Sequence, residues 1–429
     1  MKSLHSSHRR AARSWTPALL TALLAGAALA PLAQVAQAQV PPDVEATLRK
    51  IGPIVDPACT ADLYRPMMPK NDITSDVTPL YPGVSIARNQ SFGSNPDDVV
   101  DVFWADKGAN ERPVLIYVPG GAGNKIEIQD KAANAFYDNI GRWGTQHGLV
   151  VVLMQRHFSP TWDGGARDVS NMIQWVQDHI AQYHGDANRM VIWAQSAGNG
   201  PTGTYIGRPE LYGPKGVGVR GVIFMSGAFD IAPLQAAALG GANFRTMMAS
   251  AGTTCHEPGG MTSTAGALPG AAPGTPGGPN GIPGFGGPPP AGAAAGPGAA
   301  RGAGGPGGAG RRGGGGGFGT PDPATQLAHS SLPELKRTHV KIMLADAELD
   351  PGVDMHVNNG LSAFNKTLSD ALCAVGPSHC PTLLVERGES HMSEVFSIDT
   401  PDQTVSGPVL KFIREAVGTG AHAHRKSAD

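Results

Sequence analysis

The residues whose types and spacing can do chemistry centre on one serine. A short apolar run, Met190-Val191-Ile192-Trp193, leads into Ala194-Gln195-Ser196-Ala197-Gly198. Four or five apolar residues stopped by small ones read as a buried strand, and the residues that follow can open a helix. A serine on so sharp a strand-to-helix turn holds its Oγ clear of the backbone, where it can attack a carbonyl. The pattern is A-x-S-x-G, a variant of the G-x-S-x-G nucleophile elbow. Small residues two before and two after the serine let neighbouring backbone pass close. A serine hydroxyl is a weak nucleophile and needs a base, and the base needs an orienting acid. Downstream, His391 lies just past an apolar run, in Gly388-Glu389-Ser390-His391. Asp346, Glu348 and Asp350 cluster after another such run, and Asp230 follows a third.

These groups need a frame. Val114–Val118 and Leu149–Met154 are continuous apolar runs, as expected of strands buried on both faces. Arg220–Met225, Val340–Ala345 and Thr382–Glu386 are further strands, and Val84–Arg88 with Val99–Trp104 form an opening antiparallel hairpin. Helices are expected at Ala132–His147, at Asp168–Tyr183, near Val353–Leu372 and at Val409–Val417. In the second of these, Met172, Trp175, Val176 and Ile180 form one apolar stripe. Strands alternating with helices imply a mostly parallel sheet with helices on both faces.

The remaining stretches carry different signals. Lys2, Arg9, Arg10 and Arg13, an apolar run from Ala18 to Ala33 and the small-x-small Ala36-Gln37-Ala38 are the three parts of a secretory leader. The expectation is a leader over 1–38, an irregular proline-rich arm over 39–82 and a domain in two parts, 83–256 and 320–419. A tail, 420–429, ends it. Between the two parts, residues 257–319 are almost entirely Gly, Ala and Pro, with too little apolar side chain to offset the entropy of ordering. This is read as a disordered insert. No other apolar run is long enough to span a bilayer, so no stable membrane association is expected once the leader is removed. The chain is expected in the periplasm or outside the cell. With 33 basic against 35 acidic residues, a net charge of −2, nothing draws it to nucleic acid. In an oxidising compartment the four cysteines favour disulfides, Cys373–Cys380 and Cys59–Cys255, and their spacing matches no zinc ribbon.

Taken together, these motifs resemble the α/β-hydrolase family, in its carboxylesterase branches near hormone-sensitive lipase and the arylformamidases. The resemblance runs from about residue 97 to 417, apart from the insert. It rests on Pro119-Gly120-Gly121-Ala122 at a strand end, on His184-Gly185-Asp186-Ala187-Asn188-Arg189 before the elbow, and on the chain order serine, acid, histidine. Pro119 stands where that family usually has histidine. The resemblance implies an α/β-hydrolase fold with the Gly/Pro-rich insert in the cap position. It implies Ser196 as nucleophile, His391 as base and Asp350, in an Asp-Pro pair, as the acid. Asp346, Glu348 and Asp230 remain alternatives for that acid. Gly121, Ala122 and Ala197 would supply the oxyanion-hole N–H groups, and Asp186 and Arg189 would be structural. The activity implied is hydrolysis of a small-molecule carboxylic ester through an acyl-enzyme, without cofactor or metal. An amidase or formamidase, or a non-catalytic binding module of the same fold, is the alternative.

The insert generates a first test. Loop-closure cost grows only with the logarithm of length, so cutting 257–319 to a dozen residues should change stability by about 1–2 kcal/mol. Thermal unfolding and turnover of a small soluble ester, compared before and after the cut, measure this. Loss of turnover in a folded protein would make the insert a working part of the site.

Overall fold

The computed structural model describes residues 39–53, 55, 57–68, 81–120, 136–155, 163–227 and 323–418. The expected leader, insert and tail fall outside these residues, as do Gly121, Ala122, Asp230, Cys255 and hence the Cys59–Cys255 pairing.

An eight-stranded sheet runs in the order β1-β2-β4-β3-β5-β6-β7-β8. The strands are β1 Val84–Ser91, β2 Val99–Ala105, β3 Arg112–Val118, β4 Val150–Met154, β5 Gly185–Gln195, β6 Gly221–Met225, β7 Lys341–Ala347 and β8 Thr382–Glu386. The expected hairpin is present, with β1 antiparallel to β2 and β2 antiparallel to β4. From β4 through β8 every pairing is parallel. This is the α/β-hydrolase arrangement, and it puts the carboxyl ends of β3, β5, β6, β7 and β8 along one rim. In open parallel sheets that rim is where sites form.

Alternation along the strands splits the core in two. Val114, Ile116, Val118, Ile192, Ala194, Val222, Phe224 and Leu344 face one side. Leu115, Tyr117, Val191, Trp193, Ile223, Met225 and Ala345 face the other. In chain order, α1 is Pro42–Ile51, α2 Pro57–Tyr64, α3 Asp138–Gln146, α4 Gly164–His179 and α5 Asn199–Ile206. Then come α6 Pro323–Ala328, α7 Leu332–Leu335, α8 Ala363–Cys373, α9 Ser393–Phe396 and α10 Ser406–Val417. The first layer takes Val169, Met172, Ile173 and Val176 of α4 and Leu368 and Leu372 of α8. The second takes Ile140 and Trp143 of α3, and Val409, Phe412 and Ile413 of α10.

The arm departs from expectation. Residues 39–82 are not irregular throughout, because α1 and α2 occupy much of that stretch. Leu48 and Tyr64 are fully buried and join the second layer. Pro42 and Pro57, two of the prolines that suggested irregularity, sit at helix starts, where a missing N–H costs nothing. The helix expected near Val353–Leu372 begins only at Ala363, where Ser362 caps it by accepting from Asn365 N–H. The Cys373–Cys380 disulfide is formed and ties the end of α8 to the entry of β8.

If α1 belongs to the core, Leu48→Ala should destabilise the protein by about 2–5 kcal/mol, as large-to-small core changes do. Chemical denaturation measures this. A change below about 0.5 kcal/mol, the usual surface effect, would show that α1 is peripheral.

Candidate active site

The site is built where β3 and β5 end side by side, with Val118 paired to Ala194. Ser196 follows β5 directly and has φ +52°, in the left-handed region that non-glycine residues rarely adopt. The strain is held by contact on both sides. A Cβ on Gly198 would lie 2.5 Å from the carbonyl oxygen of Val118 and 2.8 Å from that of Pro119. A Cβ on Gly120 would lie 2.6 Å from Ser196 Cβ. The turn after β3 and the turn after β5 therefore touch backbone to backbone, and only glycine fits at these two points.

The histidine and the acid arrive from the next strand ends. The loop after β7 carries Asp350, and the loop after β8 carries His391. Ser196 Oγ lies 2.8 Å from His391 Nε2. His391 Nδ1 lies 3.1 and 3.2 Å from the two carboxylate oxygens of Asp350. A carboxylate can only accept, so Nδ1 carries a proton, and once the ring is neutral its Nε2 lone pair faces the serine. Asp350 and His391 are buried, while Ser196 and Ala197 are half-buried.

The other acids weighed from the sequence do different work. Asp346 is fully buried and its Oδ2 accepts from Ser362 N–H at 2.8 Å. Glu348 accepts from Arg49 and from Gly388 N–H. Asp186 Oδ1 accepts from Asn188 N–H at 2.8 Å, and Arg189 donates to Glu111 and Gly418 carbonyls. These are the structural roles expected of that turn.

Residues that no sequence pattern singled out lie beneath the histidine. Gln195 Nε2 donates to the His391 carbonyl oxygen at 3.1 Å and to Glu394 Oε1 at 2.8 Å. Ser226, at the end of β6, donates to Glu394 Oε2 at 2.6 Å. The network joins three strand ends, and its members sit far apart in the chain, so nothing local could reveal it. Glu386, Glu389 and Glu394 are all fully buried nearby.

Charge in this pocket is set by burial against pairing. Burial alone would push the His391 imidazole down, but the Asp350 carboxylate outweighs it and holds the ring up at about 9. Burial pushes Asp346 up to about 7, against the opposing effect of the Ser362 N–H and Asn365. Burial, and then neighbouring acids, pushes Glu386, Glu389 and Glu394 well above the usual carboxylate range. Burial thus disfavours charge on the acids that surround His391.

Comparison with known proteins agrees with this frame. Residues 100–200, from β2 into α5, match the family model described as BD-FAE. Chlorogenic acid esterase of Aspergillus niger is 28% identical over 155 residues, which is 32% of this chain and 29% of that protein. Carboxylesterase 5A of Homo sapiens is 34% identical over 106 residues, covering 22% of this chain and 17% of that one. The matches thus span less than a third of either relative. Among solved structures, a bacterial heroin esterase superposes with a TM-score of 0.48 at 15% identity, over 88% of this chain and 98% of that one. Among the described residues, no helix is long and apolar enough to cross a membrane. The sheet order and the strained serine turn are those of an α/β-hydrolase fold, and part of the chain is similar to the BD-FAE family model and to esterases.

Proposed function

We propose that the chain hydrolyses carboxylic esters through an acyl-enzyme on Ser196. The observation that carries this is the 2.8 Å contact from Ser196 Oγ to a His391 ring whose other nitrogen is held by Asp350. Ser196 Oγ attacks the ester carbonyl as His391 Nε2 takes its proton. The carbonyl oxygen becomes an oxyanion, held by the Ala197 N–H together with Gly121 and Ala122. His391 returns the proton to the leaving alcohol, and the acyl group stays on Ser196. A water, deprotonated by the same nitrogen, then releases the acid and restores the serine. Asp350 fixes the tautomer and stabilises the imidazolium that forms at each step. Each oxyanion donor contributes roughly 3–4 kcal/mol when removed singly. The esterase names of the relatives favour an ester over an amide. Short or soluble acyl esters suit the site best, because the cap position holds a Gly/Pro-rich stretch with few apolar side chains. The leader over 1–38 and the Cys373–Cys380 disulfide support an exported protein.

A fluorophosphonate probe should label Ser196, and Ser196→Ala should lose both labelling and ester turnover. The expected drop in kcat is at least about 10³-fold, with a residue of activity from the oxyanion hole. Mass mapping of the adduct and a short-chain nitrophenyl ester assay measure this. Full turnover in Ser196→Ala would sink the mechanism.

The acid is tested by pH. Only the neutral imidazole is a base, so kcat/KM should rise with pH as His391 loses its proton. Asp350→Asn removes the charge that holds the ring up, so that limb should move to lower pH while kcat falls by about 10⁴-fold. The pair also contributes stability. That contribution is complete below the unfolded value of 6.5 and is lost as pH rises through about 9, and Asp350→Asn should erase it. Asp346 is a contrast. Its native carboxyl, raised from 3.8 to about 7, prefers the proton, so stability is lost as pH rises across that range. Asp346→Asn should flatten that loss and leave kcat within a few-fold. If Asp346→Asn or Asp230→Asn proves the damaging change, Asp350 is not the acid.

A further inference from the structure

Glu348 lies two residues before Asp350, on the loop after β7, yet it makes no contact with His391. Its side chain reaches sideways instead. Oε2 accepts from the Gly388 N–H at 2.9 Å, on the loop that carries His391. Oε1 accepts from Arg49 Nη1 at 2.9 Å, on α1. The backbone repeats the connection, with Glu348 N–H donating to Glu386 C=O at 3.0 Å and Leu349 N–H donating to Glu389 C=O at 2.8 Å. These bonds carry the β7–β8 ladder past its last paired residues, Ala347 and Glu386. They end two residues short of His391 on one side and one residue short of Asp350 on the other.

The geometry points to Glu348 as a positioning residue: its carboxylate latches the acid loop to the histidine loop, and Arg49 of α1 fastens the latch. This rests on the reading of Ser196, His391 and Asp350 as a catalytic set. The chemistry favours the arrangement. The Asp350–His391 contact spans the gap between the two loops. A displacement on the order of 1 Å at such a contact can cost about 10²-fold in rate. A carboxylate that takes one backbone N–H and one guanidinium N–H is fully engaged at both oxygens, and both bonds are charge-assisted. The Glu348 side chain is 14% exposed, so water competes little for those bonds. Gly388 sits against Val40 and Glu45 as well, which brings the start of α1 over the same loop. Arg49 also pairs with Glu45 at 2.7 Å, which pre-orders its guanidinium toward the loop. The amino-terminal helices thus have a task in the site that reaches beyond filling the core. Tyr64 of α2 adds a second tie, its hydroxyl donating to Glu389 Oε2 at 3.3 Å.

The test uses Glu348→Ala, Arg49→Ala and the double variant in the full chain, with two readouts. The first is kinetics on a short-chain nitrophenyl ester. Glu348→Ala should lower kcat roughly 10- to 100-fold with KM within about twofold, since substrate binding does not pass through the latch. Arg49→Ala should act in the same direction and less. The double variant should be no worse than Glu348→Ala, because Arg49 works through Glu348. The second readout is the titration of His391 by nuclear magnetic resonance, assigned by its loss in His391→Gln. Glu348→Ala should lower that midpoint, because a loosened Asp350 no longer stabilises the imidazolium as well. This readout needs no turnover. An inactive, unlabelled parent chain would refute the serine-hydrolase reading, while the titration would still report on the latch. Arg49 is well exposed, so its variant remains informative if Glu348→Ala folds poorly. An unshifted His391 midpoint with kcat unchanged in folded Glu348→Ala overturns the proposal. A loss confined to KM, or independent losses that add in the double variant, overturns it as well.

Discussion

The structure depends on one steric constraint, the contact between the turn after β3 and the turn after β5. Val118 and Pro119 present carbonyl oxygens at the point where Gly198 passes, and Gly120 passes against Ser196 itself. No side chain fits between them. With that contact made, Ser196 has no choice but its left-handed φ, and its Oγ stands away from the backbone. The cost of the strained serine, of order 1–3 kcal/mol, is offset by the parallel pairing of β3 and β5 along their whole apolar length. Strand pairing thus sets Ser196 directly, and the rest of the site has to meet it.

What meets it is a pair of loops whose problem is charge. His391 and Asp350 are both buried, and at least four other acidic side chains lie in the same interior. If all were ionised the pocket could not close. Burial works against this by raising Asp346, Glu386, Glu389 and Glu394 above the usual carboxylate range. Protonated acids can then act as hydrogen-bond partners within the networks that hold the loops. Glu348 is the exception. It is less buried, and although burial works against it, Arg49 and the Gly388 N–H hold its carboxyl below the usual range.

Much of this was legible in the sequence, and the reasons differ by element. The buried strands were visible because both faces are covered, so Val114–Val118 and Leu149–Met154 read as unbroken apolar runs. The serine turn was visible because it needs small residues at fixed offsets. His391 and Asp350 stood out through their place after strands and through family resemblance. The arm was misread because Pro42 and Pro57 look like breakers in a sequence, while at the first turn of a helix they are harmless. The start of α8 was set too early because its true signal is the Ser362 cap, a single side-chain bond. Gln195, Ser226, Glu394 and the Glu348 latch stayed hidden. They are held together by tertiary contacts across 40 to 299 positions, and no local pattern records such a distance.

The separation of Ser196 from His391 has a consequence in time. The two residues touch in the folded protein, yet they are 195 positions apart along the chain. At ribosomal speeds of about 5–20 residues per second, the serine emerges on the order of 10–40 s before the histidine. Through that interval β5 and its turn can form, but the hydroxyl has no base and is as inert as any alcohol. The histidine comes in just after β8 and is followed by α9 and α10, so its contact with Ser196 arrives with the closing of the sheet. A half-made chain therefore lacks the Ser196–His391 contact, which forms only as the last strand of the sheet joins.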